Sequence, residues 1–379
     1  MKKKIKMTWL LLMAITFSAA GQSNSGKTSY TNPKPYLTIH IEPAQGKKVK
    51  NIILMIGDGM GLTQVSAAWV ANRGQLNIDN CTHTGFSRTY CHNKLITDSG
   101  AAGTAMATGQ KAIYHSVAVD TLGNPLPSLT DLAHCAGLST GIVVTCNLPD
   151  ATPAAFCANN TDRNREEAIA ADYLNCQVDY IFGGGRERFN KRTDKRNILE
   201  EMKAEGYQVC RAWEQTAKIK QGKVFSVITE GQLPLATQRG NLFGDAVQHA
   251  IQLLSQNEKG FFAMFEGSRI DDCGHDNHLT NLMEEVFDFD RSVGKVLEWA
   301  EKDGETLVIV LADHETGGLT LLGGDKKTGT VNGHFSTNGH SDIMVPVYAW
   351  GPGAETFTGI YENTEIFHKI VNLLNIGKP

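Results

Sequence analysis

Five apolar runs of strand length, four of them leading into acids and the fifth preceded by an imidazole, constrain this chain more than any other feature. Asn51-Ile-Ile-Leu-Met-Ile-Gly-Asp58 ends on a carboxylate. Gly141-Ile-Val-Val-Thr145 is followed by Asp150 and Thr152, and Phe261-Phe-Ala-Met-Phe265 by Glu266, Asp271 and His275. Thr306-Leu-Val-Ile-Val-Leu-Ala312 runs into Asp313 and His314, and Met344-Val-Pro-Val-Tyr-Ala-Trp350 has His340 just upstream. Continuous apolar runs without alternation belong to strands covered on both faces, and helical patterns over 128–137, 163–175, 240–256 and 279–302 supply the cover. The reading is α/β: a three-layer αβα sandwich around a large, mostly parallel sheet, whose ligands bind beyond the carboxyl ends of the strands. One acid after a strand is usually a turn former or helix cap. Four strand ends that all supply metal-ligand types are poorly explained that way.

Organisation follows from the same pattern. Residues 1–20 have a basic start, an apolar stretch too short for a comfortable membrane span and small residues for cleavage, so a signal peptide and a periplasmic or secreted protein are expected. Residues 21–49 read as a polar N-terminal arm, and 50–379 as one domain with insertions near 177–235 and 319–339, the second a long surface loop. Removal of 1–20 takes four lysines and no acid, moving the formal charge from −4 to −8. That argues against nucleic acid as a bulk electrostatic partner. Eight cysteines in an exported chain permit disulfides. Cys81 and Cys91, flanking an apparent short hairpin, are the first pair expected.

Thr97-Asp-Ser-Gly100 leads into small, helix-compatible residues. A serine there stands at a helix start, where an anion is favoured. Alone, the segment reads as a serine N-cap. Asp271-Asp-Cys-Gly-His275 puts a carboxylate and an imidazole at i and i+4, on one face if helical, where they could share a metal. Asp313-His314 repeats the pair at the end of a buried strand, where an uncompensated carboxylate is costly. His340 can complete the first set, and Asp58 with the Ser99 oxygen the second. Two divalent ions about 4 Å apart suit in-line displacement at phosphorus.

The ordered set Asn51–Gly61, Thr97-Asp-Ser99, Asp150-Ala-Thr-Pro-Ala-Ala155, Glu266-Gly-Ser-Arg-Ile-Asp271, Ala312-Asp-His314 and His340 resembles the alkaline phosphatase family. The resemblance implies a phosphomonoesterase with a phosphoserine intermediate on Ser99, two Zn2+ and one Mg2+. It implies Asp271, His275 and His340 as ligands of one zinc. Asp58, Asp313 and His314 would hold the other, with Ser99 as nucleophile. Asp58, Thr152 and Glu266 would form the magnesium site, which Asp150 serves through water. It also implies that Arg163 clamps phosphate, and that small-molecule phosphate monoesters are the partners of a possible homodimer; the helix start, through its dipole and the Gly100 N–H, would help hold the phosphate. Asp272 departs from the family, where the position often carries Lys, His or Trp. The alternatives are a phosphodiesterase on the same scaffold and a non-catalytic metal- or phosphate-binding protein.

Overall fold

The computed structural model describes residues 27–42 and 48–377; the expected signal peptide lies outside them. Ten strands form the main sheet in the order Gly359–Glu362, His83–Arg88, Val345–Trp350, Thr306–Leu311, Asn51–Gly57, Phe261–Gly267, Ser139–Asn147, Tyr180–Gly184, Val224–Val227, Gln208–Cys210. Pairing is parallel from Thr306–Leu311 through Gln208–Cys210. Val345–Trp350 alone runs antiparallel to both its neighbours.

Asn51–Gly57 shows why the sheet is sandwiched. Every residue of it is buried, and successive side chains leave opposite faces. Ile53 and Met55 join the core under the helices Leu62–Ala71, Leu242–Leu254 and Leu279–Asp303. Ile52, Leu54 and Ile56 join the core under Leu129–Cys135, Glu166–Asp172, Ile198–Ala204 and Thr364–Leu374. The expected three-layer α/β architecture is the one observed. No helix among the described residues is long and apolar enough to cross a membrane.

Three local expectations fail. Residues 177–235 are no excursion, because they supply the strands Tyr180–Gly184, Gln208–Cys210 and Val224–Val227 that extend the sheet to one edge. Those strands are too short, and their charged connectors too long, for an apolar run to stand out. Residues 319–339 are not a loop: Leu319–Asp325 and Thr330–Phe335 form a hairpin, and Lys27–Thr31 of the N-terminal arm adds a third strand. The arm continues as a fixed strap, with Tyr36 Oη donating to Asp290 Oδ2 at 2.6 Å and Ile39 N–H to Asn77 Oδ1 at 2.9 Å. Finally, Cys81 and Cys91 are free and the disulfide joins Cys157 to Cys176. His83–Arg88 is not half of a local hairpin but pairs with Val345–Trp350 and Gly359–Glu362, so nothing folds Cys91 back onto Cys81.

A buried ion triad ties the helix Leu279–Asp303 to the segment before Leu242–Leu254. Arg239 Nη2 lies 2.6 Å from Glu285 Oε2 and 2.7 Å from Asp288 Oδ2, all three side chains nearly inaccessible. Removing Arg239 would leave two buried acids with only the Ala236 N–H on Glu285 and Arg291 3.6 Å from Asp288 to offset their charge. Arg239→Met is therefore expected to lower the unfolding free energy by about 3–5 kcal/mol, read by urea denaturation. A loss below about 1 kcal/mol, the value of an exposed pair, would contradict the assignment.

Candidate metal and catalytic site

The carboxyl ends of the central strands bring the sequence-selected residues into two clusters. Asp271, His275 and His340 each offer a ligand atom within 4.8 Å of the others, and so do Asp58, Asp313 and His314. Asp58 follows Asn51–Gly57 directly, and Asp313 and His314 follow Thr306–Leu311. Asp271 and His275 stand on the helix Arg269–His275 in the expected i, i+4 relation. His340 arrives differently. The hairpin returns the chain to the bridge between Glu315–Thr316 and His340–Ser341, where His340 pairs with Thr316. Gly59 allows the crowding between the clusters: φ is +71°, and a Cβ would stand 2.7 Å from Thr316 Oγ1 and 3.0 Å from Asp271 Cα.

The imidazoles are set by their Nδ1 atoms. His340 Nδ1 lies 2.8 Å from the Thr97 carbonyl, and His275 Nδ1 2.5 Å from that of Asn338. A carbonyl can only accept, so both Nδ1 atoms carry hydrogen. In the neutral rings the Nε2 lone pairs then face each other at 3.1 Å, with Asp271 Oδ2 3.3 Å from His275 Nε2 and Asp271 Oδ1 3.5 Å from His340 Nε2. His314 Nε2 sits 3.1 Å from Asp313 Oδ2, 3.5 Å from Asp58 Oδ1 and 3.2 Å from Ser99 Oγ. Its ring stacks on that of His340, centroids 3.7 Å apart.

The electrostatics are those of a cation cradle. Burial pushes the Asp58 carboxyl well above its usual range, Asp313 to about 6 and Glu266 to about 8. Burial also drives His314 well below the usual imidazole value. Asp271 resists burial, because His275 and His340 hold it well below the carboxylate range. Asp58 Oδ1, Asp313 Oδ2, Glu266 Oε1 and Thr152 Oγ1 are buried without a hydrogen-bond partner. Buried oxygens in that state are costly, and the hard-oxygen and imidazole donor set is one that divalent metals take. The residues therefore fit metal ions.

Ser99 opens the helix Ser99–Thr108, but it does not cap it. The cap is Asp98, whose carboxylate accepts from the N–H groups of Gly100 and Ala101. That frees the Ser99 hydroxyl for His314 and engages the Gly100 N–H expected to hold phosphate. Asp98 also pins Arg163, Nη1 to Oδ2 at 3.0 Å, while Asp150 Oδ1 takes Nη2 at 2.9 Å. Against burial, these two carboxylates keep the guanidinium firmly charged. Asp150 caps the helix Ala151–Ala155 and stands outside both clusters, as does Glu266. The departing Asp272 is occupied by Arg269, Nε to Oδ2 at 2.9 Å, and Arg269 also bonds the Leu233 carbonyl.

Sequence reasoning missed Asp98 in its double role, although Thr97-Asp98 before a helix was a legible capping signal. It also missed Thr316, whose hydroxyl bonds Asp271 and whose only sequence signal is proximity to Asp313-His314.

Residues 49–334 match the family model described as alkaline phosphatase. The chain is 31% identical to alkaline phosphatase 4 of Bacillus subtilis, over 89% of this chain and 92% of that one. The solved alkaline phosphatase of the Antarctic bacterium TAB5 superposes with a TM-score of 0.84 at 37% identity, covering 88% of this chain and 100% of that one. A histidine-to-aspartate variant of the TAB5 enzyme, described with Mg bound in its M3 site, matches at 36% identity and TM-score 0.83, with the same coverage.

Proposed function

The chain belongs to the alkaline phosphatase family and is a phosphoric monoester hydrolase, and from that premise we propose that it works through a phosphoserine on Ser99. The observation that carries the reading is the Ser99 hydroxyl, 3.2 Å from His314 Nε2 at the edge of the second cluster and in one recess with Arg163, Asp271, His275 and His340. Asp271, His275 and His340 would hold one zinc, and Asp58, Asp313 and His314 a second. Asp58, Thr152 and Glu266 would hold magnesium, with Asp150 beside them. Bound there, the ions supply Lewis-acid charge that lowers the pKa of a hydroxyl and steadies a departing oxygen.

The chain's own groups do the rest. Burial of Ser99 and its place on a rigid helix fix the oxygen for in-line attack on phosphorus. The Ser99 Oγ–P bond forms as the ester P–O bond breaks and the alcohol leaves. Water then cleaves the phosphoserine, releasing phosphate and restoring the hydroxyl. Arg163, held open as a fork by Asp98 and Asp150, presents N–H groups to two non-bridging oxygens. Its carboxylate partners compete with phosphate for the same donors, which favours release of product.

Export by the leader over 1–20 places the enzyme in the periplasm or outside the cell, and a homodimer is the assembly we propose from the family. A phosphodiesterase is the rival within enzymes. The measurement is turnover of a monoester against a diester of the same alcohol: the monoester is expected to lead in kcat/KM by at least about a hundredfold, the order contributed by charged groups built to meet transition-state charge. A faster diester would overturn the reading.

A further inference from the structure

The recess above Ser99, of about 240 Å3, is also lined by Ile96, Tyr114 and His115, which the handling of phosphate leaves unused. His115 has φ +71°, a conformation that L side chains rarely adopt and that persists where the surroundings impose it. Here they do. The His115 N–H donates to Asp98 Oδ1 at 3.0 Å and its carbonyl accepts from the Arg163 N–H at 2.8 Å. The residue is thus bonded into both the cap of the Ser99 helix and the backbone of the arginine clamp. Its ring stacks on Tyr114, centroids 4.3 Å apart and 18° from parallel. The Lys94 ammonium stands 3.5 Å from the Tyr114 centroid.

The two loops carrying this stack are tied together. Tyr114 N–H donates to Asn93 Oδ1 at 2.9 Å, and His92 N–H to the Ala112 carbonyl at 2.9 Å. The Tyr114 ring packs on the small cluster of Cys91, Ala101 and Ala112. Beside it, Leu95 and Ile96 are 69% and 46% exposed. A preorganised stack of flat rings with a cation and an exposed aliphatic edge offers a planar guest stacking and apolar contact at little ordering cost.

We propose that His115 and Tyr114, flanked by Lys94 and Ile96, form a leaving-group subsite that selects phosphate esters whose alcohol carries a planar aromatic ring. This rests on the phosphomonoesterase reading and adds a preference to it. The ring could sit directly on the ester oxygen, as in an aryl phosphate, or beyond a sugar, as in a nucleoside 5′-monophosphate.

The test is kcat/KM for phenyl phosphate, a nucleoside 5′-monophosphate and glycerol phosphate in the wild type, His115→Gly and His115→Phe. Glycine adopts φ +71° without strain, so His115→Gly keeps the backbone bonds to Asp98 and Arg163 and removes only the ring. For at least one ring-bearing ester, the ratio to glycerol phosphate is expected to fall about five- to tenfold in His115→Gly, the scale of one aromatic stack. His115→Phe is expected to keep more than half of that ratio. A fall for phenyl phosphate alone places the ring at the ester oxygen, and a fall for the nucleotide alone places it beyond the ribose. Ratios that stay unchanged, glycerol phosphate falling as far as the others, or Phe behaving as Gly would each overturn the subsite. Wild-type protein that turned over none of the three esters would instead overturn the phosphomonoesterase reading.

Discussion

Ser99→Ala is expected to lower kcat/KM for a phosphate monoester by at least about a thousandfold, roughly 4 kcal/mol in the barrier, while leaving metal content and thermal stability close to those of the wild type. The size follows from the role. A nucleophile takes part in both halves of the proposed reaction, so its loss leaves only binding and electrostatic assistance. The selectivity follows from the local structure. Ser99 is the first residue of its helix and Asp98 is the cap, so alanine fits and the hydrogen bonds at the helix start survive. The Ser99 hydroxyl bonds His314 Nε2, but the clusters Asp271–His275–His340 and Asp58–Asp313–His314 take nothing else from it. Metal analysis, a melting curve and a monoester assay on one preparation make the comparison. Residual activity above a tenth of wild type would remove Ser99 from the role. Lost activity accompanied by lost metal would make it a structural ligand instead.

The same residue marks where sequence reasoning reached and where it stopped. Thr97, Asp98 and Ser99 are all good caps, and nothing in their order says which one turns its oxygen back on the helix. Only the position of Arg163, whose guanidinium Asp98 also meets, separates them. The metal-ligand types at the strand ends were legible because a buried parallel strand is a long apolar run, and an acid at its carboxyl end is conspicuous. His340 was legible as a residue type but not as a delivery. It depends on a hairpin whose sequence, rich in Gly, Thr and Lys, reads as loop, and whose register shifts between Leu321 and Gly323.

Long-range pairing was lost for a related reason. Tyr180 pairs with Gly141 on one side and Val224 on the other, and no local pattern encodes either partner. Cys157 and Cys176 likewise meet because the turns after Ala151–Ala155 and Glu166–Asp172 face each other, a fact of helix packing and not of spacing. The strained backbone of His115 has no sequence signal at all.

Removal of divalent metal is expected to abolish monoester turnover, by at least about a hundredfold, and to lower the melting temperature by on the order of 10 °C. Ligands that bind the folded state alone stabilise it by mass action, by about 4 kcal/mol for a site a thousandfold above its dissociation constant. Two such sites make a shift of that order in a chain of this size. The structure says why the metal-free chain should be the weaker one. Its buried oxygens on Asp58, Asp313, Glu266 and Thr152 lack hydrogen-bond partners, and the Nε2 atoms of His275 and His340 face each other at 3.1 Å. Asp58 Oδ1 and Asp313 Oδ2 share only the ring of His314, at 3.5 and 3.1 Å, and the two facing Nε2 atoms share only Asp271, so much of the desolvation cost of these groups stays uncompensated. Chelation followed by dialysis, a melting curve and an assay make the measurement. Zinc with magnesium is expected to restore both readings, and zinc alone to restore less, because Glu266 lies outside the two imidazole clusters. A chelated protein that kept its melting temperature and its activity would reduce the clusters to hydrogen-bonded Asp–His pairs, and the Ser99 chemistry would then lack the charge it needs.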